Sequence, residues 1–165
     1  MFLQNLRAKA GARLNGDSEA GFTLIELLVV MLILGILAAI ALPAFFNQKE
    51  KAGDAKAKEY AHSAQVAMET FSTDHNGTYV GVSENGEELV EIEPTLSSAT
   101  LTVTGPGGTG TPTATGYRIT STAPNSENEF WVDNNAGTLT FECTTAGTGG
   151  CPAAEGTATN GNWGG

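Results

Sequence analysis

The stretch GFTLIE at residues 21–26 places a carboxylate at the edge of an apolar segment. Glu26 is the only charged residue between Phe22 and Phe46. A carboxylate deep in lipid costs about 2.5–3.5 kcal/mol on insertion scales. One turn into a helix it faces the positive end of the helix dipole, which favours an anion by about 0.3–1 kcal/mol. Glu26 is therefore either a tolerated charge at a membrane edge or a group with a function.

Cleavage of the bond between Gly21 and Phe22 would give the carboxylate a partner. It would create an α-amino group on Phe22 whose ordinary pKa of ~8 leaves it largely protonated. An unpaired ion in hydrocarbon is unfavourable, so staggered parallel helices gain stability when the amine of one meets the Glu26 carboxylate of another. The pattern therefore predicts assembly of several copies in one register.

The element that must position these groups is the apolar segment 22–46. Its charge-free core, Leu27 to Leu42, has 16 residues, or ~24 Å as a helix, and the flanking apolar residues extend it towards the ~30 Å of a bilayer core. Gly35 and Pro43 interrupt the segment. Proline removes a backbone hydrogen bond, so we expect a kink or local loosening near residues 39–43.

A secretory signal peptide is the alternative interpretation of residues 1–46. Ala39–Ala41 has the small residues of an exit site, and cleavage there would start the mature chain at Leu42. Asp17 and Glu19 stand between the basic residues and the apolar run, and Glu26 works against insertion. These three acids favour a retained span over a signal peptide.

Residues 47–76 have the pattern of an amphipathic helix that continues the span. Asn76-Gly77 is a stop signal, so one helix is predicted from Phe22 to about His75, ~80 Å long. A compact globule cannot bury such a helix along its whole length. Within residues 47–76 the apolar residues recur at steps of three or four and form one apolar stripe: Ala57, Tyr60, Ala61, Ala64, Ala67, Met68 and Phe71.

Residues 77–165 change to alternating patterns and glycine-rich turns, which indicate three or four antiparallel strands with one buried face. DNNAG at 133–137 is predicted to be a turn, and the residues from Cys151 onward to be irregular. The acidic stretch SENGEELVEIEP at 83–94 is predicted to be a solvated loop or edge strand rather than a Ca²⁺ site. The predicted strands cover 99–104, 117–122, 129–132 and 138–143.

The charge and the cysteine content indicate which kinds of binding are not expected and whether the chain contains a disulfide. The net charge is −10, and Arg118 is the only basic residue beyond His75, so generic binding to nucleic acid or anionic lipid is not expected. Cys143 and Cys151 are predicted to form a disulfide because a span implies export, with two free thiols as the alternative. We find no metal-ligand set, cofactor motif or nucleophile–base set, so neither a cofactor nor catalysis is predicted.

The run GFTLIELLVVMLILGILAAIALP, from Gly21 to Pro43, resembles the N-terminal signature of type IV pilins and the related type II secretion pseudopilins. The resemblance implies that a prepilin peptidase cuts after Gly21 and that the new amine of Phe22 is methylated. It implies that Glu26 pairs with Phe22 of a neighbouring copy in a helical homopolymer. The stretch from Gly35 to Pro43 matches one that loses helicity in some pilus filaments.

The resemblance also implies the α+β lollipop fold, in which a long N-terminal helix packs its C-terminal half on a small antiparallel sheet. Residues 1–21 would be a cleaved leader, 22–46 the membrane and filament-core half of the helix, 47–76 its amphipathic half, and 77–165 a β-domain. The Cys143–Cys151 bond would bracket the C-terminal loop. The leader is long and the cysteine loop is short for this family.

The partners that the resemblance implies are other copies of the chain, the peptidase, an assembly platform with its ATPase, and inner-membrane lipid. The precursor would have a cytoplasmic N-terminus and an exported C-terminus before it enters an extracellular filament. A type IV pilin is the predicted function. A pseudopilin of a type II secretion or competence system is one alternative, and a membrane-anchored or secreted binding domain that never polymerises is another.

Overall fold

The computed structural model describes residues 21–156 and 158–164, so residues 1–20 of the predicted leader lie outside the described part. Helix α1 spans Leu24–Asp74 and the short helix α2 spans Glu87–Ile92. The strands form one sheet in the order β1-β2-β3-β4-β5, with every neighbouring pair antiparallel. This confirms the predicted α+β class. The strands are β1 Thr100–Thr104, β2 Gly116–Thr122, β3 Glu129–Asn135, β4 Thr138–Cys143 and β5 Gly161–Asn162, and 3₁₀ turns cover Pro94–Ser98 and Pro106–Gly108.

Helix α1 contains 51 residues and includes Pro43. By internal contacts the chain divides between Leu42 and Pro43 into two compact units. The helix continues through residues 39–43 without a break. The kink or local loosening expected there stays a prediction. α1 ends as the Asn76-Gly77 signal indicates, because both residues have positive φ and the Gly77 N–H donates to the Ser72 carbonyl at 2.8 Å.

The predicted apolar stripe of α1 packs into the unit Pro43–Gly165. Four alanines of this stripe are at most 1% exposed: Ala57, Ala61, Ala64 and Ala67. Because their side chains are small, neighbouring residues can approach the helix closely. Towards the C-terminal end of the helix, larger residues complete the main apolar cluster. Its larger members are Met68, Phe71, Val82, Leu89, Leu96, Val103, Tyr117 and Ile119.

The turn predicted at 133–137 is wrong, because strand β3 continues to Asn135. Asp133 pairs with Arg118 of β2 at 2.7 Å. The Asn134 side chain accepts a hydrogen bond from the Gly137 N–H at 2.9 Å. Only Ala136 and Gly137, with φ of 50° and 88°, make the two-residue turn that joins β3 to β4. Polar residues stay in the strand because tertiary contacts satisfy them.

The acidic stretch and the tail also differ from prediction. Residues Glu87–Ile92 form α2 rather than a loop or strand, because Leu89 is fully buried in the main cluster. The predicted irregular tail contributes β5, which pairs with the end of β4. Trp163 anchors it: its indole N–H donates to the Glu142 carbonyl at 2.7 Å.

Candidate assembly site

The first turn of α1 is closed by a reciprocal pair of side chains. The Thr23 N–H and hydroxyl both donate to Oε2 of Glu26, at 3.1 and 3.0 Å. The Glu26 N–H donates to the Thr23 hydroxyl oxygen at 3.2 Å. This is a capping box, in which two N–H groups without helical partners are satisfied. The helix therefore begins where it does because Thr23 and Glu26 stand three residues apart.

Thr23 was missed by the sequence reasoning above, which considered Glu26 only as a charge. The signal was present, because a threonine followed three residues later by glutamate, ahead of an apolar run, is a capping-box pattern. Both hydrogen bonds accepted by the carboxylate go to Oε2. Within the described residues, Oε1 of Glu26 has no hydrogen-bond donor.

The apolar half of α1 exposes its side chains on every face. Phe22 is 88% exposed, and a shallow apolar hollow beside Glu26 is lined by Leu27, Val30, Met31 and Leu34. Exposed apolar surface costs roughly 25 cal/mol per Å² in water. α1 is long and apolar enough to cross a membrane. Lipid or other chains must therefore cover this segment.

The structure places the other predicted residues without joining them to Glu26. Gly21 and Phe22 precede the helix, and Gly35 and Pro43 lie within it. The single chain brings Glu26 to Thr23 only. Cleavage after Gly21, methylation of Phe22 and flexibility near Gly35 and Pro43 therefore remain predictions.

The predicted bond between Cys143 and Cys151 is present, with both residues buried. It closes the loop Thr144–Gly150 at the end of β4. Gly161 of β5 packs against both sulfur atoms, so closely that a Cβ there would lie 2.8 Å from the Cys151 sulfur. Among residues 21–156 and 158–164, no group of three or more His, Cys, Asp or Glu side chains is placed to hold a metal ion.

Comparison with known proteins supports the significance of the N-terminal site. Residues 17–42 match the family described as the prokaryotic N-terminal methylation motif. The match contains Gly21, Phe22, Thr23 and Glu26, so the capping box lies inside the motif.

The relatives include both secretion and pilus proteins. The type II secretion system core protein G of Escherichia coli K12 is 38% identical over 80 residues, which cover 48% of this chain and 54% of that protein. A type IV major pilin protein PilE1 of Neisseria gonorrhoeae is 33% identical over 99 residues, covering 54% and 60%. A fimbrial protein of Neisseria meningitidis serogroup A is 33% identical over 94 residues, covering 50% and 55%.

These alignments span about half the length of each relative and about half of this chain. The chain also has the methylation motif, and its described part has a long N-terminal apolar helix followed by a small antiparallel sheet. The chain therefore has the prokaryotic N-terminal methylation motif and is similar, over about half of its length, to type IV pilins and to type II secretion system core protein G.

Proposed function

We propose that the chain is the precursor of a filament subunit that is cut after Gly21 and polymerises through α1. The observation that carries the proposal is the environment of Glu26. Its carboxylate lies at the start of an exposed apolar helix, four residues after Phe22, with one oxygen bound to Thr23 and the other free in the described chain.

The free oxygen gives the carboxylate capacity for a second partner. Oε1 of Glu26 can accept from the Phe22 ammonium of a neighbouring copy while Oε2 keeps its bonds to Thr23. Capping and pairing between subunits are thus compatible. A charge pair surrounded by apolar helices favours one register, since other registers leave both ions unpaired.

The filament that we favour is a type IV pilus. The disulfide-closed loop at the end of β4 supports this choice, because the resemblance associates such a loop with pilins. The similarity to type II secretion core protein G supports the second candidate, a secretion pseudopilin. In either case the partners are further copies of this chain, a prepilin peptidase and an assembly platform with its ATPase.

The proposed route begins in the bacterial inner membrane. The apolar half of α1 spans the bilayer, with residues 1–21 on the cytoplasmic side and the β-domain exported. After cleavage, the subunit leaves the lipid as neighbouring helices replace the acyl chains around it. Because the exported side is oxidising, the location is consistent with the Cys143–Cys151 disulfide.

Intact-mass spectrometry of filaments sheared from cells tests the proposal. We expect a subunit that lacks residues 1–21 and begins with N-methylated Phe22. A mature chain that begins at Leu42, or a chain that is never found in filaments, would contradict it. Deletion of the gene separates the two candidates: loss of surface filaments indicates a pilin, and retention of exported enzymes in the periplasm indicates a pseudopilin.

A further inference from the structure

A buried carboxylate far from the assembly site has an unusual set of partners. Asp54 of α1 is 0% exposed. One carboxylate oxygen accepts from the Ser126 hydroxyl. The other accepts from the Asn128 amide at 3.2 Å and from the Gly150 N–H at 2.5 Å. Burial of an ion is strongly unfavourable unless donors replace water, and here three donors do so.

Lys58 lies one helical turn after Asp54 and binds the carbonyl of Gly150, the residue whose N–H donates to Asp54. Its ammonium donates to the Gly150 carbonyl at 2.6 Å and lies 5.2 Å from the centre of the Phe130 ring. Burial lowers the pKa of Lys58, and the charge of Asp54 opposes that shift. Gly150 thus donates to Asp54 and accepts from Lys58. We call Asp54, Lys58 and Gly150 the Gly150 clip.

The clip requires close approach of the backbone to the helix. A Cβ at Gly149 would collide with the Asp54 carboxylate, and one at Gly150 would lie 2.8 Å from the Asp54 Cβ. Gly149 also has a φ of 56°, which disfavours other residues. The two glycines are therefore explained by the contact with Asp54. The next residue is Cys151, so the clip fixes the chain immediately before the second sulfur of the disulfide.

We propose that Asp54 and Lys58 position Cys151 for its pairing with Cys143. The helix captures the Gly150 backbone while both cysteines are thiols, and the covalent bond then closes a loop that is already held. This inference concerns folding of the unit Pro43–Gly165 and does not depend on the proposed function.

The chemical step is thiol–disulfide exchange with a disulfide oxidant. One cysteine thiolate attacks the oxidant's S–S bond, forms a mixed disulfide and releases one thiolate. The second cysteine, deprotonated, attacks the mixed disulfide and releases the other. The two cysteines lose two protons and two electrons in total, and the oxidant becomes two thiols. The clip acts on the second, intramolecular attack, where proximity determines the effective concentration of the thiols.

The test uses the full chain in detergent micelles, equilibrated with reduced and oxidised glutathione. For Asp54→Asn and for Lys58→Met, we expect the effective concentration of the cysteine pair to fall by about tenfold or more, as loss of a charged hydrogen bond implies. Asp133→Asn is the matched control, because it neutralises a buried carboxylate that bonds to Gly107 and Arg118 instead. Equal falls in all three variants would overturn the proposal.

A second measurement remains decisive if Asp54→Asn does not fold. In the double variant Cys143→Ser/Cys151→Ser, we expect the Gly150 amide to stay protected from hydrogen exchange, because the clip does not need the disulfide. Loss of that protection, with the helix retained by circular dichroism, would show that the disulfide positions the clip and would overturn the proposal. Where Asp54→Asn does fold, adding this substitution to the double cysteine variant should remove the protection of the Gly150 amide.

Discussion

At the scale of single residues, Glu26 combines two roles that require different properties of its carboxylate. Capping requires an acceptor for the Thr23 N–H, and an uncharged amide oxygen can supply that. Pairing with an ammonium requires the negative charge. The two roles can therefore be separated by substitution.

We predict that Glu26→Gln leaves a processed, membrane-inserted subunit that builds few or no filaments. The unpaired Phe22 ammonium would cost several kcal/mol per subunit in the filament core. The measurement compares processed subunit in the membrane with sheared filament. Thr23→Ala is the control, because it weakens the cap by about 1 kcal/mol but keeps the charge, so filaments should persist. Equal filament yields for wild type and Glu26→Gln would show that the carboxylate is tolerated rather than required.

A second residue-scale prediction concerns Tyr117, whose buried hydroxyl donates to Glu69 of α1 at 2.8 Å. Burial, together with the Glu69 carboxylate, strongly raises the pKa of Tyr117. The folded state therefore holds a proton that the unfolded chain releases above its ordinary tyrosine pKa of ~10. Stability should be fully present below pH ~10 and should fall as the pH rises further.

Urea denaturation of the full chain in micelles at pH 8 and pH 11 measures this effect. Tyr117→Phe should lower the free energy of unfolding at pH 8 by about 1–2 kcal/mol, because a hydrogen bond to a charged group is lost. Between pH 8 and pH 11, the free energy of unfolding of the variant should also fall by less than that of the wild type. An unchanged pH dependence in the variant would assign the alkaline loss to other groups.

At the scale of elements, the apolar stripe of α1 packs in the same buried cluster as residues of the sheet. Ala64 is fully buried, whereas Ala55 is exposed on the opposite side. Because a packed interior has little free volume, added methyl groups must displace neighbours.

We therefore predict that Ala64→Leu destabilises the chain by about 1–3 kcal/mol. Ala55→Leu should change stability by less than about 0.5 kcal/mol, since it adds the same group to an exposed position. Urea denaturation of both variants in micelles makes the comparison. Equal stabilities of the two variants would mean that the packing surface at Ala64 can relax around a larger side chain.

At the scale of the whole molecule, stability of the unit Pro43–Gly165 rests on apolar packing and on a few long-range polar contacts. Glu69 of α1 accepts hydrogen bonds from Tyr79, Tyr117 and Asn134. The Gly150 clip and the disulfide hold the residues that follow β4. The disulfide is thus one of several restraints rather than the sole one.

We predict that the Cys143→Ser/Cys151→Ser variant loses roughly 2–3 kcal/mol of stability, because a short loop restrains the unfolded chain only modestly. Its helix content should remain unchanged, since α1 is held mainly by packing. Urea denaturation gives the first quantity and far-ultraviolet circular dichroism the second. A variant that loses its helix signal would show that the disulfide is needed for folding.

Local patterns were sufficient for much of this description. The apolar stripe of α1, its stop at Asn76-Gly77, and strands β1, β2 and β4 followed from periodicity and turn residues. The disulfide could be predicted because the chain has only two cysteines. The motif at Gly21–Glu26 indicated the resemblance to type IV pilins and type II secretion pseudopilins. These features depend on residues that are close in sequence, so their spacing alone contains the information.

The features that could not be predicted depend on contacts between residues that are distant in the sequence. Asp54 is an ordinary polar residue in the sequence, yet it is buried because Ser126, Asn128 and Gly150 bring their donors to it. Strand β3 extends through Asp133 and Asn134 because distant groups satisfy their side chains, and α2 forms because Leu89 enters the core. Whether a polar group can be buried depends on donors that lie 72 or more positions away in the case of Asp54. No local period contains that information, because folding alone brings these donors and the carboxylate together.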